Sequence, residues 1–243
     1  MLFRSVYDSN RYTAFGLLTR LGCQVIDMGV VRDDPGLLEA AFKQAASQAD
    51  AIITSGGVSV GEADHTKAMM KKLGDVAFWR IAMRPGRPMA VGRIEKPALE
   101  SFSGIKLASN PINTGASSYE NSSIKNDCIL FGLPGNPVAV MVTFLAFVRP
   151  ALLQMMGATA APQPLLKARS LEAMRKKPGR TEYQRGWVST AADGTLQVKT
   201  TGNQGSGVLS SMAQANGLIV LHHSQGNVAE NDNIDVLMFD GII

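Results

Sequence analysis

Residues 54–64 read TSGGVSVGEAD and directly follow the apolar run Ala51–Ile53, and they are the most informative stretch of the chain. The run predicts a short buried strand. The glycines and serines after it predict a loop whose backbone N–H groups can approach an anion closely. Asp64 is placed to cap a helix over His65–Leu73, whose positive end would then face the same loop. We therefore predict a phosphate or oxyanion site at the carboxyl edge of an α/β sheet, although such a loop alone is also compatible with a tight turn.

The composition is that of an ordinary globular protein. The chain has 243 residues, 45% of them hydrophobic and 18% charged, which suits one large or two ordinary domains. The net charge of +4 is mild and the basic residues are dispersed, which argues against nucleic acid binding. Cys23 and Cys128 lie far apart and form no CxxC pair, a usage that favours a reducing compartment over a disulfide framework or a structural zinc.

Two features predict a cytoplasmic protein with no membrane partner. The first residues contain no apolar stretch of the kind found in a signal peptide. The longest apolar run, Val138–Val148, is shorter than a bilayer span and predicts a buried core helix.

The first part of the chain alternates between helix and strand patterns. Before residue 90 these predict a helix from Asp8 or Ser9 to Gly22, a strand over Cys23–Met28, a helix from Pro35, the strand and helix around the glycine loop, and a strand over Val76–Met83. Short joints between such elements predict a parallel sheet with helices on both faces. Ligands of such sheets bind beyond the carboxyl ends of the strands.

Two further turns follow predicted strands. In RPGRP (84–88), Arg84 and Arg87 are held in a stiff turn, either as an oxyanion clamp or as solvated charges. A strand over Cys128–Phe131 leads into GLPGNP (132–137), where Asn136 as N-cap and proline at the next position predict a helix to about residue 156. The open N–H groups of that helix offer a second anion-binding end.

The remaining sequence divides the chain into two predicted domains. Residues 98–127 are rich in Ser, Asn, Gly and Thr and predict a long insertion without regular structure. Beyond a proline-rich linker at 160–164, four short runs predict a small β-barrel or sandwich: Glu182–Thr190, Leu196–Thr201, Gly217–Leu221 and Ile234–Met238. We predict an α/β domain over residues 1–158, containing the insertion, and a β-rich domain over residues 165–243.

Taken together, the ordered motifs resemble the molybdopterin molybdenumtransferases, the MoeA and gephyrin E-domain family. The resemblance is carried by the glycine loop, the RPGRP turn and the GLPGNPV segment, with YDSNR (7–11), VRDDP (31–35), PGR (178–180) and TGNQGS (201–206). It covers nearly the whole chain and corresponds to the C-terminal half of full family members, which carry two more domains. It implies a three-layer α/β domain of the molybdopterin-binding type, followed by a small all-β domain.

The resemblance implies a reaction and its partners. The reaction is insertion of molybdate into the dithiolene of adenylylated molybdopterin, with Mg²⁺-dependent release of AMP. The family also implies a homodimer, because its active cleft lies at a dimer boundary, and a molybdopterin adenylyltransferase acting upstream. One alternative is a non-catalytic molybdopterin- or nucleotide-binding module that serves as a scaffold. Another is the adenylyltransferase itself, which normally has GGTG where this chain has GGVS (56–59) and lacks the β-rich tail.

Roles for individual residues also come from the resemblance. Asp64 would bind Mg²⁺, with Asp33 as a second candidate ligand. Arg84 and Arg87 would hold molybdate, and Ser59 would donate a hydrogen bond near it.

Other implied contacts come from three segments and from the C-terminal domain. Arg180 or Arg185, with Ser206 or Ser210, would close over the oxyanion. The residues that would hold or shape the pocket for the pterin or adenylate are Asp8, Ser9, Ser55, Gly56, Gly57, Val58, Gly61, Pro134, Gly135 and Asn136.

Overall fold

The computed structural model describes residues 8–58, 65–96, 127–159 and 161–240. Its elements in chain order are α1 (Ser9–Arg20), α2 (Pro35–Gln48), β1 (Ala51–Ser55), α3 (His65–Leu73), β2 (Gly74–Arg80), β3 (Met83–Arg84), β4 (Pro88–Glu95), β5 (Asp127–Leu133), α4 (Pro137–Thr143), a π-helical turn (Phe144–Val148), α5 (Arg149–Met155), β6 (Leu166–Ser170), β7 (Thr181–Thr190), β8 (Leu196–Thr200), α6 (Ser210–Ala213), β9 (Gly217–Leu221) and β10 (Asn233–Met238). The predicted insertion at 98–127 lies almost wholly outside the described residues.

The first sheet has the strand order β1-β5-β4-β2. β1 is parallel to β5, whereas β4 is antiparallel to both β5 and β2, so the prediction of a wholly parallel sheet is wrong. The reason is the short connection between β2 and β4, since a parallel pair would need a crossover of a dozen or more residues. The carboxyl ends of β1, β2 and β5 and the start of β4 nevertheless share one edge.

Helices cover both faces of this sheet, which confirms the predicted three-layer α/β fold. Phe131 and Leu133 of β5 belong to a core shared with α1, α4 and the following helical turns. Cys128 and Leu130, on the opposite face, pack with residues of α2 and α3. This alternation is the period-two pattern of a strand buried on both sides.

No strand forms over Cys23–Met28, contrary to the prediction. The carboxylate of Asp27 accepts a hydrogen bond from the backbone N–H of Gly29 at 2.9 Å. It also forms a salt bridge with Arg11 Nε at 2.8 Å. Gly29 adopts the left-handed conformation with φ of 72°. Such an Asx turn diverts an extended chain, and the segment lies apart from β1, across a cavity of about 980 Å³ that both line.

The helix that starts at Pro137 is a core helix, as the sequence predicts. It continues to Met155 through the π-helical turn, whose wider register accommodates Pro150, which has no N–H to donate. Within the part of the chain that the structure describes, this 19-residue helix is the one long and apolar enough to cross a membrane. Half of its most apolar window is buried, including Val138 and Val148 at 0% exposure, and it packs against both sheets.

The second sheet forms a small closed barrel. Its order is β3-β7-β8-β6-β10-β9, and an added pairing of β7 with β9 closes the ring. The hairpin predicted around Asp193-Gly194 is present as β7 and β8, with Gly194 at φ of 83°. Strand β3 comes from the RPGRP turn yet pairs in parallel with β7, which brings Arg84 opposite Glu182. The RPGRP turn, which connects two strands of the first sheet, is therefore hydrogen-bonded to the barrel through β3.

Candidate functional site

A single asparagine joins the start of α1 to two of the predicted anion-binding segments, the glycine loop and the loop after β5. Asn10, in the first turn of α1, donates from Nδ2 to Ser55 Oγ at 2.8 Å and to the carbonyl of Gly135 at 2.7 Å. The backbone N–H of Gly56 donates to the carbonyl of Leu133 at 3.0 Å. The start of α1, the glycine loop and the loop after β5 thus form one continuous surface at the shared edge of the first sheet.

The glycines of this loop are required by its backbone. Gly56 and Gly57 have φ of 90° and 70°, values that side chains rarely adopt. A Cβ added at Gly57 would lie 2.6 Å from Thr66 Cγ2, so the loop packs directly on α3. The side chain of Val58 is buried in the core, which leaves its backbone as the part available to a ligand.

Asp8 acts as the cap of α1, as the sequence predicts. Its carboxylate accepts from the backbone N–H of Arg11 at 3.3 Å. Asp8 is exposed and Ser9 is half-buried, and both directly precede Asn10. They therefore border the surface that Asn10 assembles.

The RPGRP turn presents its two arginines to solvent. Arg84 and Arg87 are exposed, whereas Pro85 and Gly86 between them are buried. Gly86 has φ of 100°, and a Cβ there would lie 2.5 Å from Thr143 Oγ1. The turn is thus seated against α4, with its charged side chains outward.

A third arginine, Arg185 of β7, lies near Arg84 but is buried, with 1% of its surface exposed. Burial lowers the pKa of Arg185, and the positive charge of Arg84 lowers it further. Arg185 donates from Nε to Ser211 Oγ at 3.0 Å and from Nη2 to the carbonyls of Asn203 and Gly205 at 3.1 and 3.0 Å. No carboxylate among the described residues forms an ion pair with it. A buried guanidinium beside a second cation, without a counterion, is complementary to an oxyanion.

Arg180, the other arginine that the resemblance left open, has a different environment. Its side chain is 42% exposed and its Nε donates to Glu182 Oε1 at 2.8 Å. Because Glu182 already neutralises it, Arg180 is the weaker candidate for binding an anion.

Ser206 connects the barrel to the start of α4. Its Oγ accepts from Asn136 Nδ2 at 3.1 Å, and its carbonyl accepts from the backbone N–H of Val138 at 3.2 Å. Asn136 occupies the N-cap position, but its side chain makes no capping bond and reaches Ser206 instead. One of the helix N–H groups predicted to be open is therefore used by the barrel. Ser210, the alternative, is exposed at the start of α6.

The two neighbouring aspartates have separate roles. Asp34 caps α2 by accepting from the N–H groups of Gly36 and Leu37. Asp33 accepts from Thr66 Oγ1 at 3.4 Å, which places it at the first turn of α3. The carboxylate of Asp33 and the hydroxyl of Thr66 carry oxygen atoms of the type that Mg²⁺ prefers. Within the described ranges, however, no group of three metal-binding side chains is found. Ser59, Gly61 and Asp64 lie outside those ranges, so their roles stay predictions.

Sequence reasoning missed three residues of this region: Asn10, Gln204 and Ser211. Asn10 lies in the YDSNR motif and Gln204 in the TGNQGS motif, but neither was assigned a role. Their places in these motifs could have indicated that they belong to the site. Ser211 had no such signal, because nothing in the sequence shows that its hydroxyl is buried and bonded to Arg185.

The comparisons with known proteins cover both sheets. Residues 1–154 match a family model described as probable molybdopterin binding domain, and residues 167–239 match one described as MoeA C-terminal region (domain IV). The chain is 36% identical over 239 residues to a molybdopterin molybdenumtransferase of Haemophilus influenzae, covering 98% of this chain and 52% of that protein. It is 30% identical to a gephyrin of Dictyostelium discoideum over 88% of this chain and 29% of that protein.

A solved structure agrees at the level of the fold. The crystal structure of a molybdopterin biosynthesis MoeA protein from Pyrococcus horikosii superposes with a TM-score of 0.68 at 24% identity, covering 99% of this chain and 50% of that one. The chain spans about half the length of the first curated relatives it matches, 52% and 47% of them.

Proposed function

The chain belongs to the MoeA family of molybdopterin molybdenumtransferases, and from this premise we propose that it inserts molybdenum into adenylylated molybdopterin with Mg²⁺-dependent release of AMP. The membership itself rests on the two family models, which together account for most of the chain. The activity, the substrates and the partners are the proposal, since the relatives that carry the name are about twice as long, with 52% of the first one covered.

The observation that carries the proposal is the buried Arg185 beside Arg84. Molybdate is a tetrahedral oxyanion, and guanidinium forks suit such groups because they donate two hydrogen bonds in a fixed geometry. Arg185 has no acidic partner among the described residues, so an incoming anion would meet an uncompensated positive charge. Arg87, exposed on the same turn, would add a third cation at the mouth of the site.

The glycine loop supports the second half of the substrate. The N–H of Gly56 is bonded to Leu133, so we assign the phosphate of the adenylylated pterin to the backbone N–H of its neighbour Gly57, which carries no side chain to compete. Asn10 holds Ser55 and Gly135 in register and so fixes the distance between the loop and the start of α4. We assign the loop to phosphate binding and the arginine pair to molybdate, at one edge of the first sheet.

Mg²⁺ fits the residues near α3. Asp33 and Thr66 provide hard oxygen ligands there, and we propose Asp64 as the principal carboxylate. A bound Mg²⁺ would offset the charge of the phosphate oxygens and so favour departure of AMP. Asp33 and Asp64 would orient the ion, while the glycine loop would exclude water from the phosphate.

Turnover is the decisive test of the proposal. Purified protein supplied with adenylylated molybdopterin, Mg²⁺ and molybdate should release AMP in proportion to the molybdate added, and omission of molybdate or Mg²⁺ is the control. Binding of the pterin without AMP release would instead support the scaffold module.

Two expectations about assembly and location accompany the proposal. We propose that the protein is a cytoplasmic homodimer that receives its substrate from an upstream molybdopterin adenylyltransferase. Light-scattering mass measurement tests the dimer, and a pull-down with the adenylyltransferase tests the transfer partner. A monomeric mass in every condition that supports AMP release would contradict the dimer.

A further inference from the structure

We propose that Ser211 is a positioning residue that orients the guanidinium of Arg185 toward the oxyanion. This inference rests on the proposed function, because it assigns a task to a residue that would not touch the substrate. Among the serines weighed from the sequence, Ser206 and Ser210, neither hydrogen-bonds to the Arg185 side chain.

The hydroxyl of Ser211 makes two hydrogen bonds, one as acceptor and one as donor. It accepts from Arg185 Nε at 3.0 Å and donates to the carbonyl of Val208 at 2.6 Å. Ser211 is 2% exposed, so water does not compete for either bond. Because the hydroxyl proton of Ser211 points to the Val208 carbonyl, a lone pair of the Ser211 oxygen faces Arg185 Nε. The direction of this lone pair sets the orientation of the guanidinium.

The rest of Arg185 is fixed by the loop before α6. Nη2 donates to the carbonyls of Asn203 and Gly205, which occupies that nitrogen. The amide of Gln204 bonds to both backbone groups of Arg185, accepting from its N–H at 2.8 Å and donating to its carbonyl at 3.1 Å. Nη1 makes no hydrogen bond to any described residue. Nη1 is therefore the nitrogen that remains free to donate to a ligand. Its direction is fixed by the hydrogen bonds of Nε to Ser211 and of Nη2 to the two carbonyls.

Loss of the Ser211 hydroxyl should loosen this arrangement. Nε would lose its acceptor in a buried environment, and the guanidinium could turn to find another partner. We expect Ser211→Ala to raise the dissociation constant for molybdate about tenfold. Ser211→Cys keeps nearly the same shape but offers a poor acceptor, so it should show the same loss if Ser211→Ala does not fold.

Ser170 provides a matched control in the same barrel. It is 0% exposed and its hydroxyl donates to the carbonyl of Glu172 at 2.6 Å, but it does not contact Arg185. Ser170→Ala therefore removes a buried serine hydroxyl and its backbone bond, as Ser211→Ala does. A purely structural role for Ser211 would make the two variants alike in stability and in molybdate affinity.

The experiment is calorimetric titration of the chain with sodium molybdate, for the wild type, Ser211→Ala, Ser170→Ala, Arg185→Ala and the double variant of Ser211 and Arg185. We expect weaker binding for Ser211→Ala, unchanged binding for Ser170→Ala, and no added effect of the serine change once Arg185 is gone. Wild-type affinity in Ser211→Ala, or an equal further loss in the Arg185→Ala background, would overturn the positioning role. If Arg185→Ala binds molybdate as the wild type does, or the wild type binds none, the proposed oxyanion site fails and this inference with it.

Discussion

Substitution of the two adjacent glycines of the loop gives a direct measure of how the site is built. Gly56 and Gly57 both have positive φ, so alanine at either position costs about 1–2 kcal/mol of folding free energy from backbone strain. They differ in surroundings. A Cβ at Gly56 meets nothing within 4 Å, whereas one at Gly57 would lie 2.6 Å from Thr66 Cγ2 and 2.7 Å from Thr66 Cβ.

The second contact adds a packing penalty to the strain. Forcing a methyl group into a well-packed position costs about 1–3 kcal/mol. Because Thr66 Cβ is anchored to α3, it cannot move aside as the tip of a long side chain could. We therefore expect Gly56→Ala to lower the free energy of unfolding by about 1–2 kcal/mol and Gly57→Ala by about 2–5 kcal/mol.

Urea denaturation followed by circular dichroism measures both variants against the wild type. Thr66→Ser in the Gly57→Ala background removes Cγ2 and should restore part of the loss, with Thr66→Ser alone as its control. Equal destabilisation by the two alanine variants would refute the packing of the loop on α3 and leave backbone strain as the reason for both glycines.

Three further predictions concern the charged groups. Asp64→Ala should abolish Mg²⁺-dependent AMP release and leave the circular dichroism spectrum unchanged; undiminished release would show that this carboxylate is not a ligand. Arg87→Ala should raise the KM for molybdate by roughly ten- to hundredfold, since a charged hydrogen bond is worth about 1.5–3 kcal/mol; an unaltered molybdate dependence of the rate would contradict the clamp. Lys167 foremost, and His222 with it, holds the pKa of Asp235 below its ordinary value. The folded pKa therefore lies below the unfolded one, and these pairs stabilise the fold above the unfolded pKa and lose that contribution as the pH falls through the folded pKa. Asp235→Asn should thus lower the unfolding free energy at pH 7 and flatten its fall in acid, and an identical loss at pH 7 and pH 3 in urea titrations would speak against the pairing.

Local signals in the sequence predicted the elements well where short-range chemistry decides the structure. The Asp8 cap, the start of α2 at Pro35, the helix after the glycine loop and the hairpin at Gly194 all occur where expected. In each case the deciding interaction lies within a few residues, such as a side chain bonded to the next turn or a glycine at positive φ.

Long-range pairing was beyond such signals. The short link between β2 and β4 excludes a parallel pair, but nothing local shows that β4 also pairs with β5, or that the carboxylate of Asp27 turns the chain away from β1. The same holds within the site: the motifs left Arg180 and Arg185 as alternatives, and only the fold shows that Glu182 neutralises the first while the second is buried with no carboxylate partner among the described residues.

The short strand β3 has a mechanical consequence. Met83 and Arg84 pair with Thr181 and Glu182 of β7, the same strand that carries Arg185. Arg84 and Arg185, which lie far apart in the sequence, are therefore held on two adjacent, hydrogen-bonded strands of one sheet. The barrel is thus tied to the rest of the chain by a strand pairing, by the two hydrogen bonds of Ser206 and by a common hydrophobic core.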